Sequence, residues 1–154
     1  MELTVTIFAV LILVAVVVFL RWRSRQRGRL FLEAHSIEAE QLHELLFAED
    51  RPAAVHVIDV RQPLDLLAYS QIIPGAQRIA PKDVLENPGL IPKDTDTVVY
   101  CTCPSDETAL KIVDKAVALG FDKVKILRGG LDAWKEKSYP VEAYETAFHL
   151  DTPV

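Results

Sequence analysis

The chain has 154 residues, half of them hydrophobic, and a formal net charge of −5 at pH 7. The charge is unevenly distributed, because residues 30–154 contain 12 Lys or Arg and 21 Asp or Glu. Such an acidic segment offers no basic stripe for phosphates, which argues against a nucleic-acid-binding protein. The length allows one compact domain and a short additional segment.

The first predicted element is a transmembrane helix over residues 3–20. This run, LTVTIFAVLILVAVVVFL, is uncharged and as a helix would span roughly 27 Å, close to the thickness of the bilayer hydrocarbon. Five arginines and Trp22 follow within residues 21–29, an arrangement typical of the cytoplasmic membrane interface. A cleaved signal peptide is disfavoured, because it would carry its positive charge before the apolar run. A helix of the protein core is also disfavoured, because no face of this run is polar. We therefore expect a single-pass membrane anchor, a basic juxtamembrane linker over residues 21–35 and a cytoplasmic domain.

Helices and strands alternate in the rest of the chain. The predicted helices are Ser36–Phe47, Pro63–Tyr69, Lys82–Glu86, Ser105–Leu119 and Leu131–Lys137. The predicted strands are Ala53–Val60, Ala76–Ile79, Thr97–Tyr100 and Lys123–Leu127. We expect Ser36 and Ser105 to be N-caps and Gly120 to cap the end of the longest helix. The alternation predicts a parallel sheet covered by helices on both faces, and residues 144–154 form a C-terminal tail without a clear pattern.

Two polar groups follow strands at the sheet edge where ligands bind in such folds. Asp59 ends one strand, and Cys101 directly follows another. Cys101 and Cys103 are the only cysteines of the chain, and in a cytoplasmic setting we do not expect them to form a structural disulfide. A thiol between a strand and the start of a helix meets unpaired N–H groups and the positive end of the helix dipole, which favour the nucleophilic thiolate.

Four motifs in order resemble the rhodanese-like domain family. They are Asp59-Val60-Arg61, Pro74-Gly75-Ala76, Val98-Val99-Tyr100-Cys101 before a helix, and Gly129-Gly130-Leu131-Asp132-Ala133-Trp134. The resemblance covers residues 36–143 and implies a five-stranded parallel sheet with helices on both faces. It also implies that Cys101 is the catalytic cysteine of a thiosulfate or persulfide sulfurtransferase and carries the sulfur as a persulfide. The substrates would be a small-molecule or protein persulfide donor and a thiol acceptor, with no cofactor and no metal.

The active-site loop departs from the family pattern, because it has neither glycine nor arginine. After Cys101 it consists of Thr102, Cys103, Pro104, Ser105, Asp106 and Glu107. The two acidic residues suit the start of a helix, but their charge opposes thiolate formation and disfavours an anionic donor such as thiosulfate. Loops of this Cys-x-Cys-Pro type are similar to those of some bacterial membrane-attached members of the family. A related phosphatase is disfavoured, because Glu107 occupies the place of the arginine that would clamp the phosphate.

Four further residues have two interpretations each. Cys103 is either a packed turn residue or a resolving thiol that attacks the persulfide, releases sulfide and leaves a disulfide with Cys101. Asp59 and Arg61 are expected to brace loops near the site rather than to form a catalytic pair. Arg128 belongs to a turn and is also the nearest candidate cation at this edge of the sheet.

The sequence leads to three hypotheses about function. The first is a membrane-anchored sulfurtransferase that moves sulfane sulfur through a Cys101 persulfide. The second is a catalytically silent interaction module at the membrane, which the acidic loop without arginine favours. The third is a Cys101–Cys103 thiol redox pair. An anchor over residues 3–20 also favours a membrane protein as a partner.

Overall fold

A computed structural model describes residues 2–48, 54–102 and 106–144, with side chains from residue 11 onward. The chain divides into two units, the first ending at Ala34 and the second beginning at His35.

The first unit is one helix, α1 (Glu2–Ala34). With 33 residues it is about 50 Å long, and its described side chains from Leu11 to Leu30 are exposed. The helix predicted for residues 3–20 is present and continues through most of the predicted linker. Within the part of the chain that the structure describes, no helix reaches the combined length and apolar character of a membrane span. Membrane insertion therefore stays a prediction.

The second unit contains short strands alternating with helices. Its described strands are β1 (Ser36–Ile37), β2 (His56–Asp59), β3 (Gln71–Ile72), β4 (Gln77–Arg78), β5 (Thr97–Tyr100), β6 (Val124–Leu127) and β7 (Glu142–Ala143). Its described helices are α2 (Ala39–Phe47), α3 (Pro63–Ala68), α4 (Pro81–Glu86), α5 (Glu107–Ala118) and α6 (Gly130–Glu136), with a 3-10 helix at Pro88–Leu90.

Five strands form one sheet in the order β1-β6-β5-β2-β4. Every neighbouring pair in this sheet is parallel, so the predicted five-stranded parallel sheet is confirmed. The central strand β5 pairs with β2 and β6, and all four of its residues are buried. β3 and β7 form a separate antiparallel pair.

The two faces of the sheet are covered by different helices. Side chains of β2, β5 and β6 alternate between the faces, and Val57, Val98 and Leu127 pack in one core cluster with Leu42 of α2 and Trp134 of α6. The opposite alternation places Ile58, Val99 and Ile126, all fully buried, on the other face. α5 lies against β5 and β6 and buries the residues Ala109, Ile112, Val113 and Ala116. The predicted helices on both faces are therefore present.

The start of the domain differs from the prediction. Ser36 does not cap a helix, because Ser36 and Ile37 pair with β6 as strand β1. Ile37 is buried there, and this burial together with the strand pairing outweighs the local helical pattern. α2 begins at Ala39, and its N-cap is Glu38, whose N–H donates to the Gln41 side chain at 3.2 Å.

The ends of α5 test two predicted caps. Asp106 is the N-cap of this helix and has a left-handed backbone, with φ of 51°, while the predicted cap Ser105 lies outside the described residues. Gly120 follows the helix with φ of +81°, and its N–H donates to the Val117 carbonyl at 2.9 Å. The predicted role of Gly120 is therefore confirmed.

Candidate active site

Cys101 directly follows the central strand β5 and is fully buried. The Tyr100 carbonyl at the end of this strand accepts from the Val60 N–H at 2.9 Å. The Cys101 carbonyl accepts from the Leu131 N–H, in the first turn of α6, at 3.2 Å. These two bonds fix the backbone on both sides of the Cα atom of Cys101, so the cysteine is held at the carboxyl edge of the sheet as predicted.

The turn that holds Cys101 needs a glycine at position 130. A Cβ atom on Gly130 would lie 1.9 Å from the Cys101 carbonyl oxygen, and the residue has a φ of +54°. Real side chains avoid both the contact and the left-handed backbone. The motif Gly129-Gly130 therefore lets the start of α6 approach the backbone of the cysteine, a role that the sequence did not indicate.

Asp106 lies at the far end of the active-site loop and is 6% exposed. Its Oδ2 atom accepts from the Gly129 N–H at 2.9 Å, so this loop residue is bound to the same turn as Cys101. Its Oδ1 atom is buried and has no hydrogen-bond partner in the described structure. Burial raises the pKa of Asp106, and the Gly129 N–H and the charge of Arg128 oppose this only in part.

Glu107 is the neighbour of Asp106 in the chain but has a different environment. Its exposed side chain accepts from Lys111 Nζ, one turn later in α5, at 2.8 Å. This hydrogen bond lowers the pKa of Glu107. Glu107 therefore lies in the first turn of α5 and forms an ion pair on the helix surface, where a lysine offsets its charge.

Asp59 and Arg61 form a buried ion pair beneath the site. Arg61 Nε donates to the two carboxylate oxygens of Asp59 at 3.0 and 2.8 Å, and both side chains are fully buried. The guanidinium also donates to the carbonyls of Tyr69 and Gln71, each at 2.9 Å. These contacts join the ion pair to the backbone at Tyr69 and Gln71, and the bracing of loops near the site stays a prediction.

Tyr100, the residue before the cysteine, is hydrogen-bonded to this ion pair. Its hydroxyl donates to Asp59 Oδ2 at 3.0 Å and accepts from the Ile73 N–H at 3.3 Å. Burial and the negative charge of Asp59 raise the pKa of Tyr100 well above its usual value. Sequence reasoning missed this role, although a tyrosine that ends a buried strand must find a hydrogen-bond partner for its hydroxyl.

Arg128 lies at the predicted edge, but its guanidinium already contacts two groups near β1. Nη1 lies 2.9 Å from Glu38 Oε1, and Nη2 donates to Ser36 Oγ at 2.9 Å. A second arginine, Arg78, ends β4 in register with Asp59 and was not singled out from the sequence. Thr102 is half-buried, whereas Cys103, Pro104 and Ser105 lie outside the described residues.

The second unit is similar to proteins of known family. Residues 38–137 match the family described as Rhodanese-like domain. A protein named Sulfurtransferase from Allochromatium vinosum is 30% identical over 112 residues, which cover 72% of this chain and 97% of that protein. A rhodanese-related protein from Thermoplasma volcanium has 27% identity and a TM-score of 0.57, covering 70% of this chain and 97% of that one. The Alr3790 protein from Anabaena sp. has 29% identity and a TM-score of 0.58, covering 70% and 82%.

Proposed function

Because the chain belongs to the rhodanese-like domain family, we propose that it is a sulfurtransferase that carries sulfane sulfur as a persulfide on Cys101. The observation that supports this most directly is the position of Cys101. The cysteine follows the central strand of a parallel sheet, and the Leu131 N–H holds its carbonyl. Ligands of such sheets bind at this edge, so a donor that reaches it meets the thiol.

The proposed reaction has two steps of nucleophilic catalysis. The Cys101 thiolate attacks the outer sulfur of the donor, a new S–S bond forms, and the donor's own bond to that sulfur breaks. The leaving group is sulfite from thiosulfate or a thiolate from an alkyl persulfide. An acceptor thiolate then attacks the terminal sulfur of the Cys101 persulfide and regenerates the Cys101 thiolate. The sulfur keeps its oxidation state throughout, so no external oxidant or reductant is needed.

Mass spectrometry of the Cys101 peptide tests this proposal. The purified chain is incubated with thiosulfate or with a low-molecular-weight persulfide and digested without reductant. We expect one added sulfur atom on Cys101 in the wild type and in Cys103→Ser, and none in Cys101→Ser. Sulfur transfer that persists in Cys101→Ser would overturn the proposal.

We also propose that α1 anchors the protein in a membrane. The support comes from the sequence, where an uncharged run at residues 3–20 precedes five arginines, and from the exposed side chains of Leu11–Leu20. Cationic side chains next to an apolar span favour the cytoplasmic side and contact anionic lipids. Flotation of the full chain with liposomes tests the anchor. A chain lacking residues 2–20 should stay at the bottom of the gradient, and equal flotation of the two chains would contradict the anchor.

A binding module that carries no sulfur is the second candidate. The complete burial of Cys101 favours it, because a thiol covered by protein meets no donor. If no donor transfers sulfur to the wild-type chain, this candidate becomes the better account. A Cys101–Cys103 redox pair stays a prediction, and a reversible disulfide without added sulfur would be its signature.

A further inference from the structure

The two acidic residues at the end of the active-site loop are in opposite situations. Glu107 is exposed and its charge is offset by Lys111 at 2.8 Å. Asp106 is 6% exposed, and its buried Oδ1 atom lacks a partner among the described residues. A carboxylate with one unpaired oxygen is expensive to bury. This cost is offset only in part by the hydrogen bond from Gly129, which makes Asp106 a candidate for a role at the site.

The carboxylate of Asp106 is fixed relative to the cysteine. Three consecutive residues of one turn connect the two groups. The Gly129 N–H binds Asp106 Oδ2 at 2.9 Å, and the Leu131 N–H binds the Cys101 carbonyl at 3.2 Å. Gly130 between them approaches the Cys101 carbonyl so closely that no Cβ atom fits. The Asp106 carboxylate and the Cys101 backbone are thus both hydrogen-bonded to the turn at residues 129–131.

The charge of Arg128 offsets the effect of burial on the pKa of Asp106 only in part. Arg128 acts on Asp106 through its positive charge, but its guanidinium contacts Glu38 and Ser36, so a second carboxylate shares it. A charge buried in protein is screened far less by water and salt than an exposed one. Asp106 therefore gives the start of α5 a negative potential that opposes the positive end of the helix dipole.

We propose that Asp106 determines which sulfur donors react at Cys101, selecting alkyl persulfides without a negatively charged tail and rejecting the thiosulfate dianion. This inference rests on the proposed sulfurtransferase activity and names its donor class. The reaction with the selected donor is balanced: the Cys101 thiolate takes the outer sulfur of R–S–SH, the S–S bond of the donor breaks, and R–S⁻ leaves. Asp106 touches no reacting atom in this scheme and is a specificity-determining residue.

Two donors with the same reacting bond separate charge from reactivity. Cysteamine persulfide has a cationic tail, and 3-mercaptopropionate persulfide has an anionic one. The rate at which each adds sulfur to Cys101 is followed by mass spectrometry, with thiosulfate as the third donor. The measured quantity is the cationic-to-anionic rate ratio, because changes in thiol acidity affect both persulfides and cancel in it.

Asp106→Asn keeps an oxygen for the Gly129 N–H and a residue that tolerates the left-handed backbone, and it removes only the charge. We expect the rate ratio to fall about tenfold in this variant, as for one unit charge acting across a partly buried site, with thiosulfate gaining at least as much. Asp114→Asn is the matched control, because Asp114 is an exposed aspartate of α5. Its rate ratio should stay within about twofold of the wild type, since exposed charges are screened.

A second probe is independent of sulfur transfer. Neutral iodoacetamide and anionic iodoacetate alkylate the same thiol, and the Cys101 peptide reports each rate. The ratio of the two rates should favour iodoacetamide in the wild type and shift toward iodoacetate by about tenfold in Asp106→Asn. An unchanged alkylation ratio overturns the inference about Asp106. A shifted alkylation ratio supports it, even where the absence of sulfur uptake overturns the sulfurtransferase activity itself.

Discussion

Two buried aspartates lie at the same edge of the sheet, and their environments differ. Both carboxylate oxygens of Asp59 are satisfied, by Arg61 and by the Tyr100 hydroxyl. Asp106 has one oxygen on a backbone N–H and one without a described partner. Asp59 is paired with an arginine that binds the carbonyls of Tyr69 and Gln71, whereas one buried oxygen of Asp106 has no partner among the described residues. Two aspartates with similar burial thus differ completely in their hydrogen-bond partners.

The largest expected effect comes from removing the partner of Asp59. Arg61→Met leaves a buried carboxylate without its cation and frees the carbonyls of Tyr69 and Gln71. We expect the free energy of unfolding to fall by about 3–5 kcal/mol, measured by urea denaturation.

The double variant Asp59→Asn with Arg61→Met removes both charges and tests the reason for this loss. Its stability should lie above that of Arg61→Met alone, because no unpaired charge is left. If the double variant is the less stable of the two, the ion pair is not the source of the effect.

Gly130 lets the start of α6 lie against the Cys101 backbone, and Gly130→Ala should push the two apart. The added Cβ atom meets the Cys101 carbonyl, so we expect a loss of about 2–4 kcal/mol together with slower sulfur uptake. Gly75→Ala is the control, because Gly75 has a φ of +75° but open space around it. Its loss should be about 1 kcal/mol, the cost of the left-handed backbone alone. Equal losses would show that the close contact with Cys101 is relaxed without penalty.

Tyr100→Phe removes one of the hydrogen bonds to Asp59 without removing a charge. The variant takes one donor from Asp59 and one acceptor from the Ile73 N–H. We expect thermal or urea denaturation to show a loss of about 1–2 kcal/mol. Tyr69→Phe, at an exposed tyrosine, should change stability by less than about 0.5 kcal/mol. A Tyr100→Phe protein as stable as the wild type would argue against a network that extends to the cysteine.

Asp106→Asn should have a smaller effect on stability than Tyr100→Phe, and the opposite sign. Since burial raises the pKa of Asp106, the folded state binds this proton more tightly than the unfolded state. The stability of the wild type therefore falls as the pH rises from the usual aspartate value of 3.8 to the raised one, and stays lower above it. We expect the variant to be more stable by about 1 kcal/mol at neutral pH, with the difference shrinking in acid.

Glu107→Gln gives the opposite pH dependence. The hydrogen bond to Lys111 lowers the pKa of Glu107, so its contribution is present above the usual glutamate pKa and is lost as the pH falls through the lowered value. Denaturation of both variants between pH 3 and pH 7 compares these signs. Parallel curves for the two variants would contradict the different environments of Asp106 and Glu107.

The sequence predicted the elements whose pattern is long enough to read. β5 (TVVY) begins with three β-branched residues, β6 (VKIL) has Val and Ile on either side of an exposed lysine, and α5 shows helical periodicity over several turns. The strands β1, β3 and β7 have two residues each, too few for any period, and only their partner strands define them. Ser36 was therefore assigned to a helix, although it pairs with Ile126.

The same limit applies to the site: residues next to a recognisable strand were predicted, and contacts that depend on the folded chain were not. Asp59 ends a strand and Cys101 follows one, and the sequence reveals both strands, so the two positions were predicted. The partners of Arg128 were not, because Ser36 and Glu38 reach it only when β1 joins the sheet. Asp106 and Glu107 are adjacent acidic residues with the same local pattern. The left-handed backbone of Asp106 and the position of Gly129 separate them, and both depend on the folded chain.

The bond from the Leu131 N–H to the Cys101 carbonyl also sets an order of events during synthesis. Cys101 is synthesised 30 residues before Leu131, which holds it. This interval corresponds to roughly 2–6 s at typical translation rates. Until then the cysteine belongs to an unassembled segment. A stalled or truncated chain that ends before residue 129 therefore contains Cys101 but lacks the turn whose Leu131 N–H holds the cysteine carbonyl.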